Sequence, residues 1–148
     1  YSLLHDAAIA ALADVDVTAT RHPAGPLAGA RPTERWCFAL PGRDDVVTPA
    51  GKLLGSAQRR VRTPRPRVLH HGSLVLRRPN LTPFVAAIED STRCDGDLVP
   101  RLHRALTTRI GKALQLEPER GDLADDERSL AAELSVTRYR DPTFLRRC

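Results

Sequence analysis

Residues 50–76, AGKLLGSAQRRVRTPRPRVLHHGSLVL, decide the fold of this chain. Two β-like runs, one beginning at Lys52 and the other at Val68, are joined by a basic connection that contains proline. Runs of this kind on either side of a turn indicate a β-hairpin. Gly55 and Gly72 carry no Cβ, so another chain or a ligand could approach the backbone closely at both positions. The stretch therefore predicts a hairpin beside a narrow apolar slot, with Lys52 as the cation at its mouth.

The rest of the chain places strands early and helices late. Apolar residues recur at helical spacing in 2–14 and 98–116. Further helices are predicted over 84–88, after Gly121 and from Pro142, and short strands at 15–17 and 45–48. This order predicts an α/β (α+β) fold.

Length and composition narrow the class of protein. A chain of 148 residues is the size of one domain, 1–148. It begins at Tyr1 and contains no methionine, so we expect a fragment or a processed product. No apolar run approaches the ~20 residues that span a bilayer, so no membrane association is expected.

The cysteines and histidines favour a reduced, metal-free protein. Cys37, Cys94 and Cys148 lie far apart and are odd in number, which argues against a disulfide framework and predicts a cytoplasmic location. None of the cysteines or histidines falls into C-x-x-C or H-x-x-x-H spacing. We therefore predict no metal site.

The net charge of +5 is concentrated at one place, the predicted turn of the hairpin. We call this cluster the basic tip; its members are Arg59, Arg60, Arg62, Arg65 and Arg67. Such a cluster attracts acidic partners, and Arg59, Arg60 and Arg62 are the candidate partner-binding residues. Aromatic residues that could stack on bases are missing from it, which argues against nucleic acid. A solvated hairpin tip without a partner is the alternative interpretation.

The hairpin sequence resembles a known family. Gly51-Lys52-Leu53-Leu54-Gly55-Ser56-Ala57-Gln58-Arg59, followed by His70-His71-Gly72-Ser73-Leu74, is similar to the two conserved stretches of the lipoate–protein ligase and octanoyltransferase family, related to the biotin protein ligases. The resemblance implies the biotin/lipoate protein ligase catalytic domain, with a mixed β-sheet in which a central hairpin is flanked by helices. It also implies that the N-terminal portion is absent, because nothing here matches the Arg-Arg-x-x-Gly-Gly stretch of that family.

The octanoyltransferase branch suggests a mechanism. In that branch a Cys-Phe pair precedes the family lysine, with a proline between, and Cys37, Phe38, Pro41 and Lys52 match this arrangement. By resemblance, Cys37 accepts an octanoyl group from acyl carrier protein as a thioester and passes it to a lysine of a lipoyl domain. Lys52 would lower the pKa of the thiol and polarise the carbonyl. A buried structural cysteine is the alternative for Cys37.

The resemblance also implies a set of substrate-binding residues and partners. The residues that would shape the acyl slot are Gly55, Ser56, Ala57, His71, Gly72 and Ser73. Simple turn and strand packing is the alternative for Gly55, Ser56 and Gly72, and for His71 we favour a core imidazole over a base. The partners implied are acyl carrier protein and lipoyl domains, namely glycine cleavage H protein and 2-oxoacid dehydrogenase E2 subunits. The reaction is protein lipoylation, and the transferase reading needs no cofactor.

Two other functions stay open. Gly42-Arg43-Asp44-Asp45 and the His70-His71 pair resemble the ligase branch, in which Lys52 would hold an acyl-adenylate formed with ATP and Mg. Trp36-Cys37-Phe38 resembles the transferases and favours acyl transfer. The third hypothesis is a basic binding module without enzymatic activity.

Overall fold

The computed structural model of the protein describes residues 1–23, 38, 40–78 and 85–145. Contacts between residues divide the chain into two compact units, Tyr1–Pro118 and Glu119–Cys148. The first unit contains the hairpin and both long stretches that carry the family resemblance. The assignment of 1–148 to one incomplete catalytic domain stays a prediction.

A four-stranded antiparallel sheet is the framework of the first unit. Its strands lie side by side in chain order, β1 (Thr20–Arg21), β2 (Val46–Thr48), β3 (Gly51–Val61) and β4 (Arg67–Leu74). β3 and β4 pair without interruption from Leu54 opposite Leu74 to Val61 opposite Arg67. The predicted hairpin and the predicted short strand at 45–48 are therefore confirmed.

Two helices of the first unit share one core with this sheet. They are α1 (Ser2–Ala13) and α2 (Leu98–Leu114), and they contact each other. Burial of apolar side chains outweighs the weak helix start at Tyr1, which provides no side-chain cap. The fully or nearly fully buried core side chains come from both helices, the sheet and the segments between them: Ala8, Leu12, Val15, Val17, Val46, Leu53, Leu54, Ile88, Leu98 and Leu102.

Helix α2 ends two residues earlier than the sequence predicts. Gln115 adopts the left-handed conformation with φ of 56°, and its N–H donates to the carbonyl of Lys112. The N–H of Leu116 donates to the carbonyl of Gly111 at 2.9 Å. These two bonds form a Schellman motif, which satisfies the last carbonyls of the helix and stops it.

Within the described residues of the second unit, all regular secondary-structure elements are helical. They are α3 (Asp125–Leu134), a π-helical turn (Ser135–Tyr139) and α4 (Pro142–Leu145). Three acidic residues in the first turn of α3 favour its start through the helix dipole. The rings of Tyr139 and Phe144 meet edge to face, and the Arg138 guanidinium lies over both.

Two local predictions are wrong. Val15 and Val17 belong to the turn and extended segment after α1 rather than to a strand, and both are buried core residues. The predicted helix over 84–88 is absent from its described part, where Ala87 is extended and a 3₁₀ turn begins only at Ile88. In both places tertiary burial decided the backbone, since apolar content alone does not separate strand, helix and buried loop. The α+β fold class is confirmed, but the sheet in the described residues is antiparallel rather than mixed, because its strands follow one another in chain order and β2, β3 and β4 are joined by short hairpin connections.

Candidate active site

Lys52 lies inside the first unit rather than at its surface. Only 9% of the residue is exposed. Its Nζ is 2.7 Å from Oδ2 of Asp45, and the two side chains are 10% and 11% exposed. A charge withdrawn from water to this extent requires a close partner of opposite sign. The pair therefore fixes an ammonium group beside strand β3.

A β-bulge determines the face of the sheet on which Lys52 lies. Val46 pairs with Leu54, but the next residue, Val47, pairs with Lys52, so Leu53 is an extra residue in β3. A bulge of this kind turns the following side chain away from the face that regular alternation would give it. Leu53 and Leu54 consequently both enter the core, and Lys52 occupies the opposite face.

Gly55 provides the space for the lysine side chain. A Cβ at this position would lie 2.6 Å from Cε and 2.8 Å from Nζ of Lys52. The ring of Phe38 is a further neighbour, with its centroid 5.1 Å from Nζ, a distance suited to a cation–π contact. Lys52 is thus enclosed by a carboxylate, an aromatic ring and a bare stretch of backbone.

The turn before β2 holds the Asp45 carboxylate in place. Oδ2 of Asp45 accepts a 2.6 Å hydrogen bond from the backbone N–H of Gly42. The backbone carbonyl of Asp45 accepts from the N–H of His22 at 2.7 Å, which ties the turn to β1. Asp44, the preceding residue, has a φ of 71°, a conformation that aspartate tolerates better than most residues. The carboxylate that pairs with Lys52 is thus fixed by the fold.

The hairpin divides the predicted substrate-binding residues between two faces. Register partners lie on the same face of an antiparallel pair, so Gly55 lies with Ser73 and Ala57 with His71. These four share the face of Lys52. Ser56 and Gly72 are also partners, and they lie on the opposite face, toward α1 and α2.

His71 is exposed, so the interpretation as a core imidazole is wrong. Ala57, Gly72 and Ser73 are exposed as well. All four residues are therefore accessible to a substrate.

Cys37, the predicted nucleophile, lies outside the described residues. Phe38, which follows it in the chain, is the aromatic neighbour of Lys52. Cys94 is a free cysteine whose thiol donates to the carbonyl of Leu76 at 3.4 Å.

The basic tip is exposed over its whole length. All five of its arginines are exposed, and within the described part of the chain none of them forms an ion pair. Their positive charges are therefore available to an acidic surface.

Two negative findings apply to the described ranges. No group of three or more His, Cys, Asp or Glu side chains there could hold a metal ion. None of the helices resolved there is both long and apolar enough to cross a bilayer.

Asp45 is the site residue that sequence reasoning missed. Gly42-Arg43-Asp44-Asp45 supplies a signal, because a Gly-x-x-Asp turn just before a short strand is visible in the sequence. The pairing of residue 45 with residue 52 depends on the β2–β3 register and on the bulge. Neither can be read from one sequence.

Comparison with solved structures identifies the fold. Protein Ta0514 from T. acidophilum, provisionally assigned as a lipoate protein ligase and solved with bound lipoic acid, matches with a TM-score of 0.66 and 19% identity over 96% of this chain and 55% of that one. A second structure of Ta0514 matches with a TM-score of 0.67 and 16% identity, covering 96% of this chain and 55% of that one. A lipoate-protein ligase A bound with ATP matches with a TM-score of 0.66 and 17% identity, covering 96% and 56%.

These matches show that the chain shares its fold with the lipoate-protein ligase structures. The chain spans about half the length of these solved structures, 55% of both Ta0514 structures and 56% of the lipoate-protein ligase A. No protein-family profile and no curated protein sequence matches the chain.

Proposed function

We propose that this chain forms the lysine-bearing part of an enzyme that attaches an octanoyl or lipoyl group to a lysine of a lipoyl domain. The observation that carries the proposal is the buried Lys52 ammonium, paired with Asp45 on the hairpin of a fold that the chain shares with lipoate-protein ligase structures. A fixed cation of this kind stabilises the negative charge that develops on the oxygen of an attacked acyl carbonyl.

Acyl transfer through Cys37 is the reaction that we favour. The Cys37 thiolate attacks the thioester of octanoyl acyl carrier protein, a new C–S bond forms, and the carrier leaves as a thiol. The lysine amine of a lipoyl domain then attacks the acyl-Cys37 thioester, so that an amide forms and Cys37 is released with a proton. Support comes from the Phe38 contact, because the residue next to Cys37 in the chain packs on the Lys52 ammonium. Because this mechanism requires a reduced Cys37 thiol, the proposed location is the cytoplasm.

The basic tip supports the proposed protein partners. Acyl carrier protein and lipoyl domains of H protein and E2 subunits must both dock close to the same acyl site. Exposed arginines without acidic partners raise the encounter rate with an acidic surface and fix its orientation. The tip therefore fits a docking role for these carriers. Arg59 and Arg60 lie in the paired part of the hairpin, as Arg67 does, and Arg62 follows directly after it.

An ATP-dependent lipoate–protein ligase is the second candidate. The observation that favours it is the Gly42–Asp45 turn, whose sequence is ligase-like and whose carboxylate holds Lys52. In that reaction the Lys52 ammonium would contact the phosphate of an acyl-adenylate. Mg²⁺ would arrive with the nucleotide, since this ion is commonly held by substrate phosphates.

The test compares the two lysines of the chain. Lys52 is buried and Lys112 is exposed on α2, so Lys112→Met is the matched control for Lys52→Met. Because removal of Lys52 alone leaves the Asp45 carboxylate unpaired, the double variant with Asp45→Asn reports the loss of function without a buried charge. Intact-mass spectrometry measures octanoyl transfer from acyl carrier protein to a lipoyl domain.

We expect wild-type and Lys112→Met proteins to transfer and both Lys52 variants to lose at least ~100-fold in rate. Cys37→Ser separates the two candidates. Loss of thioester formation supports acyl transfer, whereas unchanged ATP-dependent lipoylation selects the ligase. A folded wild-type chain that neither binds nor transfers an acyl group with either donor would contradict the proposal.

A further inference from the structure

A second reactive constellation lies on the opposite face of the hairpin from Lys52. His5, on α1, is 2% exposed, and its ring bridges two distant parts of the first unit. Its Nε2 is 2.7 Å from Oγ of Ser56, and its Nδ1 contacts the backbone carbonyl of Asp44. The Ser56 hydroxyl is therefore hydrogen-bonded to an imidazole whose orientation is fixed by the backbone carbonyl of Asp44.

The partners of His5 determine where its protons lie. A carbonyl oxygen can only accept, so Nδ1 of His5 carries the hydrogen that it donates to Asp44. In the neutral imidazole, Nε2 is then the acceptor, and the Ser56 hydroxyl is the donor. This is the order of nucleophile, base and orienting acceptor by which a serine is activated for attack on a carbonyl.

Both residues open onto an apolar cavity of about 550 Å³ between the helices and the hairpin. Its wall is largely aliphatic, with Leu54, Leu74, Leu106 and Ile110 among the lining residues. The volume lies within the range of ~300–1,000 Å³ that is typical of small-molecule sites. Polar groups converge only around Ser56, so the cavity suits a chain that is apolar along its length and polar at one end.

His70 supplies a neutral hydrogen-bond donor at the polar end. It also lines the cavity, and its Nδ1 is 3.0 Å from the amide nitrogen of Gln58. Because the Oε1 of Gln58 accepts from Arg60, the amide nitrogen donates to His70 and leaves the ring hydrogen on Nε2. Burial lowers the pKa of His70, and His5, the Tyr1 amino group and His71 lower it further. A neutral imidazole N–H can stabilise a developing oxyanion.

We propose that Ser56, with His5 as its general base, accepts an acyl group from a medium-chain thioester or ester whose chain occupies this cavity. The Ser56 oxygen forms a bond to the acyl carbon, and its proton passes to Nε2 of His5. The C–S or C–O bond of the substrate breaks, and the leaving group takes that proton. Water then releases the carboxylic acid by the same route. This activity does not depend on Lys52 chemistry and goes beyond the proposed function.

A fluorophosphonate probe and p-nitrophenyl octanoate test the proposal on the 148-residue chain. Ser56→Ala removes the nucleophile. His5→Gln removes the base but keeps one donor for Asp44 and one acceptor for Ser56, so it preserves the fold contacts. Ser91→Ala and His103→Gln, at exposed positions of the same unit, are the matched controls.

We expect peptide mapping to find the probe on Ser56 of the wild-type chain and on no other serine. The Ser56→Ala chain should carry no probe. His5→Gln should slow labelling and ester hydrolysis by at least ~100-fold, and both controls should react like wild type. Hydrolysis of p-nitrophenyl octanoate should be at least about tenfold faster than hydrolysis of p-nitrophenyl acetate, because the longer acyl chain is buried in the cavity.

Two results would overturn the proposal. One is a folded wild-type chain without an adduct at Ser56, and the other is equally fast labelling of His5→Gln. An acyl adduct found on Cys37 alone would support the proposed function and refute this proposal. An adduct on Ser56 supports this proposal whatever the transfer assay of the proposed function gives. Should Ser56→Ala fail to fold, the wild-type peptide map and His5→Gln still decide.

Discussion

Replacement of Asp45 by asparagine tests whether the Lys52–Asp45 pair is as important to the fold as its burial implies. Asparagine keeps the shape of the side chain and an oxygen that can accept from the N–H of Gly42. Only the negative charge 2.7 Å from Nζ of Lys52 is removed. The variant therefore isolates the contribution of the Asp45 charge to the stability of the buried ammonium.

The magnitude follows from the burial of both partners. With side chains only 10% and 11% exposed, solvent screens the pair weakly. Removing one partner of such a pair costs about 3–5 kcal/mol in free energy of unfolding. Asp45→Asn should lie near the lower end, about 3 kcal/mol, because the bond to Gly42 is retained. This is a large share of the roughly 5–15 kcal/mol that stabilises a typical domain.

Urea denaturation followed by far-ultraviolet circular dichroism measures the effect. The double variant Asp45→Asn with Lys52→Met removes both charges, so it should be more stable than Asp45→Asn alone. Asp14→Asn is the control, since Asp14 forms an exposed ion pair with Arg109 and its replacement should lower the stability far less than Asp45→Asn does.

The reasoning is refuted if Asp45→Asn unfolds within about 0.5 kcal/mol of wild type. It is also refuted if the double variant is as unstable as the sum of its single variants, because the two charges would then not be coupled. In the first case the ammonium is stabilised by other contacts and does not require the carboxylate.

Three further predictions follow from the contacts of the first unit. Gly55→Ala should displace the lysine side chain and slow acyl transfer by about 100-fold, whereas Gly96→Ala, with nothing within 4 Å, should not, in the mass-spectrometric transfer assay. A hydrogen bond from Arg109 lowers the pKa of Asp14 below its usual 3.8, so this pair stabilises the fold above that pH and the contribution disappears as the pH falls through the lowered pKa. Denaturation of wild type and Asp14→Asn across this range should converge at low pH, and a constant difference would contradict the assignment. Replacing the arginines of the basic tip by glutamine should lower the association rate with acidic carrier protein at low salt but not at high salt, and leave the unfolding midpoint unchanged.

The sequence determined the elements whose signals are local. The hairpin of β3 and β4 follows from two β-like runs around a turn, and α2 follows from apolar residues at helical spacing. The same hairpin residues carried the resemblance that predicted the fold shared with the solved lipoate-protein ligase structures. Lys52 could be singled out in this way, although its depth could not.

Tertiary structure decided which side chains meet. The bulge at Leu53 turns Lys52 to one face, and the same hairpin presents Ser56 on the other, so a single motif contributes to two sites. Asp45 reaches Lys52 only through strand register, and His5 reaches Ser56 from 51 positions away in the chain. A pattern along one chain records which residues prefer a strand or a helix, whereas a contact over such a separation exists only after the core has closed, because packing fixes the distance between the elements.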